Sequence, residues 1–330
     1  MTSRSDLEKM IKAGMIKTLM ASMLNTVNFR SLEHKAYGLF KRSHFHFVFT
    51  HPDDEMAMAK SLRIAAKNPL VSANFNMLTD GSHGLEDWND MTYEQYGLQR
   101  LTEFYNSLVR FGFNDPSSGV FLDEHAFYVD LINGDYEKVA EELDKFRANL
   151  EASLEEGTDA IFVNDFAGGH FMHDVANFIV CSVARNKGLR VIEYWQPLLF
   201  REEGEVFMGV GRLGEDNQGR KEKLPNIPEL GIFGGVLYLS PTDIFRDLIH
   251  KNRVYSSQKK TLSRMDGQMK LPAKAIYSFR EVDLNSIDHT VKPAEPSLYE
   301  NATWRKRELP RIPVFEDYRK LIEYYKATRE

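Results

Sequence analysis

Between residues 44 and 195 the chain alternates between two hydrophobic patterns, and nothing else in the sequence narrows its fold as far. HFHFVF (44–49), LVSANFNMLT (70–79), DAIFVNDF (159–166) and LRVIEYW (189–195) are short apolar runs of strand character. Between them lie segments rich in helix formers: 54–68, 91–111 and 173–187, the last ended by Gly188. In 91–111, Leu98, Leu101, Tyr105, Leu108 and Val109 share a face. Such alternation predicts an α/β fold of Rossmann-like type, with a mainly parallel sheet and helices on both faces.

Outside that core the pattern loosens. Residues 200–235 are polar and rich in glycine and proline, and are expected to form loops or a small antiparallel insert. Residues 284–330 carry several prolines and end in a helix-like segment, FEDYRKLIEYYKA. Residues 5–24 place Leu7, Met10, Ile11, Met15, Leu19 and Met23 at helical spacing. That stripe suits packing on the domain or on a partner chain, which leaves homo-oligomerisation open. Glu8 is mixed with Lys9, Lys12 and Lys17 on the polar face, and no lipid-anchor motif accompanies it, so a lipid surface is the lesser expectation. The expected organisation is an N-terminal helical extension (1–43), one catalytic domain (44–283) and a C-terminal extension (284–330).

Composition removes several function classes. Lys and Arg number 42 against 48 Asp and Glu, a net charge of −6, which argues against nucleic-acid binding. No apolar run reaches transmembrane length, and the first 20 residues lack the apolar core of a secretion signal, so no stable membrane insertion is expected. The single cysteine, Cys181, cannot form an intrachain disulfide and fits a reducing, cytoplasmic setting. The sequon at Asn301 then carries little meaning.

The stretch FVFTHPDDEMAMAKSL (47–62) places His51, Asp53, Asp54 and Glu55 where a strand stops and a helix begins. Pro52 suits a first helical turn, whose N–H groups are unpaired in any case. Two readings compete. Acids favour helix starts, where they cap N–H groups and complement the dipole. Alternatively they belong to a metal site, since ligands of open parallel sheets bind beyond the carboxyl ends of strands. VNDFAGGHFMHDVANF (163–178) repeats the arrangement, with a strand, a glycine pair, then His170 and His173 at a helix start. Two such loops on one sheet edge can close two histidines and a carboxylate around one Zn²⁺.

THPDDE followed by a later His-x-x-His loop resembles the PIG-L (LmbE-like) zinc-dependent de-N-acetylases. Three weaker likenesses follow in order: TDGSHG (79–84), QRLTEFYNSLVRFG (99–112) and KNRVYSSQKKTL (251–262). The resemblance spans roughly 45–283. It implies His51, Asp54 and His173 as zinc ligands, Asp53 as general base, and His170 as the histidine that stabilises the developing oxyanion or protonates the amine. It also implies Arg100 as a substrate-binding arginine. The second motif departs from the family's usual His-Pro-Asp-His, because Met172 replaces the acid that orients the first histidine; Asp165 and Asp174 are the nearby acids able to take that part. The activity implied is removal of an N-acetyl group from an amino sugar or its conjugate. Zn²⁺ would activate water and polarise the amide, while Fe²⁺ also accepts such ligands.

Other signals are weaker. GVGRLG (209–214) fits a dinucleotide-binding pattern but precedes no helix-like segment. His44 and His46 lie in the first strand and read as packing residues. Asp80, His83 and His125 are candidate pocket-lining groups, with His125 placed in a loop. The alternatives to a deacetylase are an amidase acting on another N-acyl metabolite and a non-catalytic binding protein that keeps the fold.

Overall fold

The computed structural model describes residues 43–84, 90–114, 116, 118–166, 171–195, 198–202, 205–210, 220–223, 234–238, 241–258, 276–291, 309–311 and 313–330. In chain order the elements are β1 (Ser43–Phe49), a 3₁₀ turn (Asp54–Met58), α1 (Ala59–Lys67), β2 (Val71–Thr79), a short 3₁₀ turn (Ser82–Gly84) and α2 (Tyr93–Phe111). Then come β3 (Ser118–Leu122), α3 (Glu124–Asn133), α4 (Tyr136–Ser153), β4 (Ala160–Asn164), α5 (Phe171–Lys187) and β5 (Arg190–Trp195). The rest are β6 (Leu198–Glu202), β7 (Glu205–Val210), β8 (Arg220–Lys223), β9 (Gly234–Tyr238), α6 (Pro241–Val254), β10 (Ile276–Glu281) and α7 (Phe315–Arg329).

The main sheet runs β3-β2-β1-β4-β5-β10-β9. β3, β2, β1, β4 and β5 are mutually parallel, and β10 and β9 complete the sheet in antiparallel fashion. Strand order reverses between β1 and β4, and there an open sheet leaves its ligand-binding crevice, outside the carboxyl ends of the strands. The chain direction therefore aims His51 and the start of α5 at one place.

Alternation along β1 decides which face each residue serves. Phe45, Phe47 and Phe49 face α1 and α2, where Leu62, Phe104 and Leu108 are also buried. Phe47 stacks on Phe75 of β2 at 5.5 Å and Phe162 of β4 at 4.9 Å between ring centroids. Burying a side chain of that size stabilises the fold by about 1.5–3 kcal/mol. Val48, Ile161 and Val163 face the other way, into a core shared with α3, α4, α5 and α7. His46, also on that side, is buried and hydrogen-bonded to Asn76, and burial lowers its pKa. α2 starts at a capping box: Thr92 Oγ accepts from Gln95 N, and Gln95 Oε1 accepts from Thr92 N.

Several boundaries differ from the sequence expectation. The helix expected over 54–68 opens as a 3₁₀ turn, and α1 begins only at Ala59. β3, α3 and α4 were not anticipated, although Asp123 caps α3 by accepting from Ala126 N and Gly134 ends it at φ +82°. His125 is accordingly not in a loop but in the first turn of α3. By contrast, β6, β7 and β8 form the small antiparallel sheet that was one of the two expectations for residues 200–235, with β6 starting slightly earlier, at Leu198. α7 buries Phe315, Tyr318, Leu321, Ile322 and Tyr325 in the core shared with α4 and α5. The amphipathic stripe of 5–24 lies outside the described residues, as does Asn301. Among the described residues no helix is long and apolar enough to cross a membrane.

Candidate metal centre

The ends of β1 and β4 are tied together at the switch point. Thr50 Oγ donates to Asn164 Oδ1 at 3.1 Å, and Tyr194 OH donates to the same atom at 3.0 Å. Asn177 of α5 donates to the Asn164 carbonyl at 2.8 Å, which fixes α5 against β4. Beyond those ends the described residues contain one cluster able to hold an ion: His51, Asp54 and His173. His51 Nδ1 lies 3.2 Å from His173 Nε2, His173 Nε2 lies 3.3 Å from Asp54 Oδ2, and His51 Nδ1 lies 3.5 Å from Asp54 Oδ2. A tetrahedral zinc ion with bonds of about 2.0–2.1 Å would separate its ligand atoms by about 3.3–3.4 Å. The three side chains fit that spacing, and two imidazoles with one carboxylate are a common zinc donor set.

Electrostatics point the same way. Burial alone would lower the His51 pKa, but Glu124 and Asp54 overrule it and raise it to about 10. Burial would likewise raise Asp54, yet His173 and His51 hold it well below the usual carboxylate range. Burial dominates at His173 and lowers its pKa. Two carboxylates beside His51, Asp54 Oδ2 at 3.5 Å and Glu124 Oε1 at 3.0 Å, make this a pocket that favours a cation.

Glu124 was missed by sequence reasoning. It opens α3 just past the carboxyl end of β3, is 5 % exposed, and its Oε1 lies 3.0 Å from His51 Nε2. Burial pushes its pKa up, but His51 leads the groups that bring it down to about 2. A carboxylate on the far nitrogen fixes the ring and leaves Nδ1 for the ion. The available signal was FLDEHAF, a third strand end followed by an acid and a histidine.

The three adjacent acids take three different directions. Asp54 joins the cluster. Asp53 makes no capping bond, and its Oδ1 accepts from Arg100 Nη2 at 2.8 Å. Burial, offset by Arg100 and reinforced by Asp54, raises the Asp53 pKa to about 6. Glu55 is fully buried below the turn, accepting from Ser107 Oγ at 2.6 Å and from Tyr255 OH, and burial raises its pKa to about 8. Helix capping therefore does not account for the run of acids.

The remaining expected residues are placed as follows. Arg100 is buried in α2 and contacts Gly81 O, Pro52 O and Asp53. Asp80 Oδ1 accepts from Ser82 N at 2.9 Å and Glu124 N at 3.1 Å, so it anchors the start of α3. His125 stacks on Tyr93 at 3.7 Å between centroids and lies beside the buried His83. His170 lies outside the described residues. The late motif reaches the first and the α2 segment: Tyr255 meets Glu55, Gln258 Nε2 donates to Pro52 O at 3.2 Å, and Ser257 N donates to Glu103 of α2 at 2.9 Å.

Fold and site together define a class: an open α/β sheet with a His–Asp–His cluster able to hold an ion at its switch point and a separate carboxylate beside it. No protein-family model and no curated protein matches the chain. Solved structures do resemble it. One is a deacetylase from the biosynthesis pathway of teicoplanin, 13% identical with a TM-score of 0.44, the match covering 73% of this chain and 99% of that one. Another is the N,N'-diacetylchitobiose deacetylase of Pyrococcus horikoshii, 12% identical with a TM-score of 0.41, covering 74% and 85%. A third is the 4-carboxy-2-hydroxymuconate hydratase of Pseudomonas putida, 11% identical with a TM-score of 0.37, covering 73% and 96%.

Proposed function

We propose that the chain is a metal-dependent amidohydrolase that removes an N-acetyl group from an amino sugar or an amino-sugar conjugate. One observation carries the hydrolase reading: three ligand atoms 3.2–3.5 Å apart, with a second carboxylate, Asp53, held on Arg100 outside that set. The sugar substrate rests on the sequence resemblance. His51, Asp54 and His173 would hold Zn²⁺, or Fe²⁺ as the alternative. The ion supplies Lewis acidity to the attacking water and the amide carbonyl.

The chain's own groups handle the protons. Asp53 takes a proton from the attacking water as the new C–O bond forms, and delivers it to the nitrogen as the C–N bond breaks. The products are acetate and a free amine. Glu124 keeps His51 turned towards the ion. His170 is assigned as oxyanion donor from the resemblance alone. The lone, buried Cys181 suits a cytoplasmic enzyme.

The test is metal analysis of the purified chain, followed by acetate release from N-acetylglucosamine, N-acetylated oligosaccharides and N-acyl compounds without a sugar. Retained zinc and release from the sugars support the reading. Release only from the non-sugar compounds moves the substrate to another N-acyl metabolite. Absence of both metal and hydrolysis favours a binding protein that keeps the fold.

A further inference from the structure

The Pro52 carbonyl is held by two side chains from distant parts of the chain. Arg100 Nη2 donates to it at 2.7 Å and Gln258 Nε2 at 3.2 Å. The same Nη2 reaches Asp53 Oδ1, while Nη1 donates to Gly81 O at 2.9 Å. Arg100 is 5 % exposed and Gln258 3 %. The guanidinium occupies space that glycines leave: a Cβ on Gly81 would run into it, and one on Gly84 would come within 2.8 Å of Nη1. Asp53, next in the chain, has φ +140° and is the sole non-glycine residue with positive φ among those described. Such a backbone persists only where its surroundings impose it.

Asp53 and Asp54 are the same acid, one residue apart, yet only Asp54 turns to the ligand cluster. The turn makes the difference, and the groups gripping it are Arg100 and Gln258. We infer that Arg100, assisted by Gln258, is the positioning residue for Asp53, holding the base clear of the metal ligands rather than binding substrate. Its guanidinium is buried and already serves two carbonyls and one carboxylate. Released from this grip, the 52–53 peptide would relax and the Asp53 carboxylate could swing towards the ion beside Asp54. This inference rests on the hydrolase reading above.

The test uses the full-length, zinc-loaded chain with R100Q, R100K and Q258L, measuring kcat, KM and zinc content. R100Q should lower kcat about 10²-fold, the scale of a misplaced catalytic group, with KM within about twofold and zinc content unchanged. R100K should recover part of the loss, because an ammonium restores one contact. Q258L should give a smaller fall of the same kind. R100Q combined with D53N should be no slower than D53N alone, since residues acting as a unit are not additive. A large rise in KM at unchanged kcat would make Arg100 a substrate ligand and overturn the inference. If R100Q does not fold, R100K and Q258L decide by the same criteria. A second readout needs no activity: in the Co²⁺-substituted protein, R100Q should change the visible spectrum, and adding D53A should restore it. An R100Q spectrum identical to the wild type also overturns the inference. Should the wild type hydrolyse none of the probes, the hydrolase reading fails while the cobalt spectra still decide the clamp.

Discussion

Replacing Glu124 tests the metal centre at a residue that is not itself a ligand. Its carboxylate is buried and 3.0 Å from His51 Nε2, so the bond between them is charge-assisted and shielded from water. Hydrogen bonds to charged groups contribute about 1.5–3 kcal/mol, and neutral ones about 1 kcal/mol. Glu124→Gln keeps the acceptor and removes the charge, which leaves a deficit of about 1–2 kcal/mol, or roughly 5–30-fold in zinc affinity. Glu124→Ala removes the acceptor as well and frees the ring to turn, so the loss should reach about 10²-fold, the upper range for such outer partners. Competition titration with a chromophoric chelator measures both. Glu124 also lies in the first turn of α3, where an acid stabilises the helix by about 0.3–1 kcal/mol. Thermal melts of the metal-free proteins separate that effect from metal binding. Wild-type zinc affinity in both variants would refute the claim that Glu124 orients His51.

Asp53→Asn should keep zinc while kcat falls by about 10²–10⁴, whereas Asp54→Asn should lose zinc and recover partly when it is added in excess; nearly full activity in the first variant would return the acids to a structural role. Gly81→Ala puts a side chain at φ +68° against the Arg100 guanidinium, and should destabilise the fold by about 1–3 kcal/mol from the backbone alone, read as a lower urea midpoint. His289 gives a pH dependence. Burial first, then Lys326 and Arg185, depress its pKa to about 3, with Asp288 opposing them, against about 6.5 unfolded. Its contribution is therefore whole above pH 6.5 and is lost as pH falls towards 3, by about 1.4 kcal/mol per unit. His289→Gln, which can still donate to Asn177 Oδ1, should lose less stability than wild type between pH 7 and 5 in urea melts.

The α/β architecture and the meeting of His51, Asp54 and His173 were legible because they rest on local signals. Period-2 runs next to period-3.6 runs can bury their apolar faces only as strands and helices. Histidines and acids at strand ends are then carried to one sheet edge by chain direction alone, which brings His51, Asp54 and His173 within 3.5 Å of one another. The partition of the acids was not legible. Asp53, Asp54 and Glu55 are consecutive and chemically alike; Arg100 of α2, His173 of α5 and Tyr255 after α6 take one each. Glu124 was hidden for the same reason, lying 73 residues from the histidine it touches. Sequence spacing reports what a residue's near neighbours impose on it. Which of several like groups meets which distant partner is decided only when packing of the sheet and its helices brings those partners together.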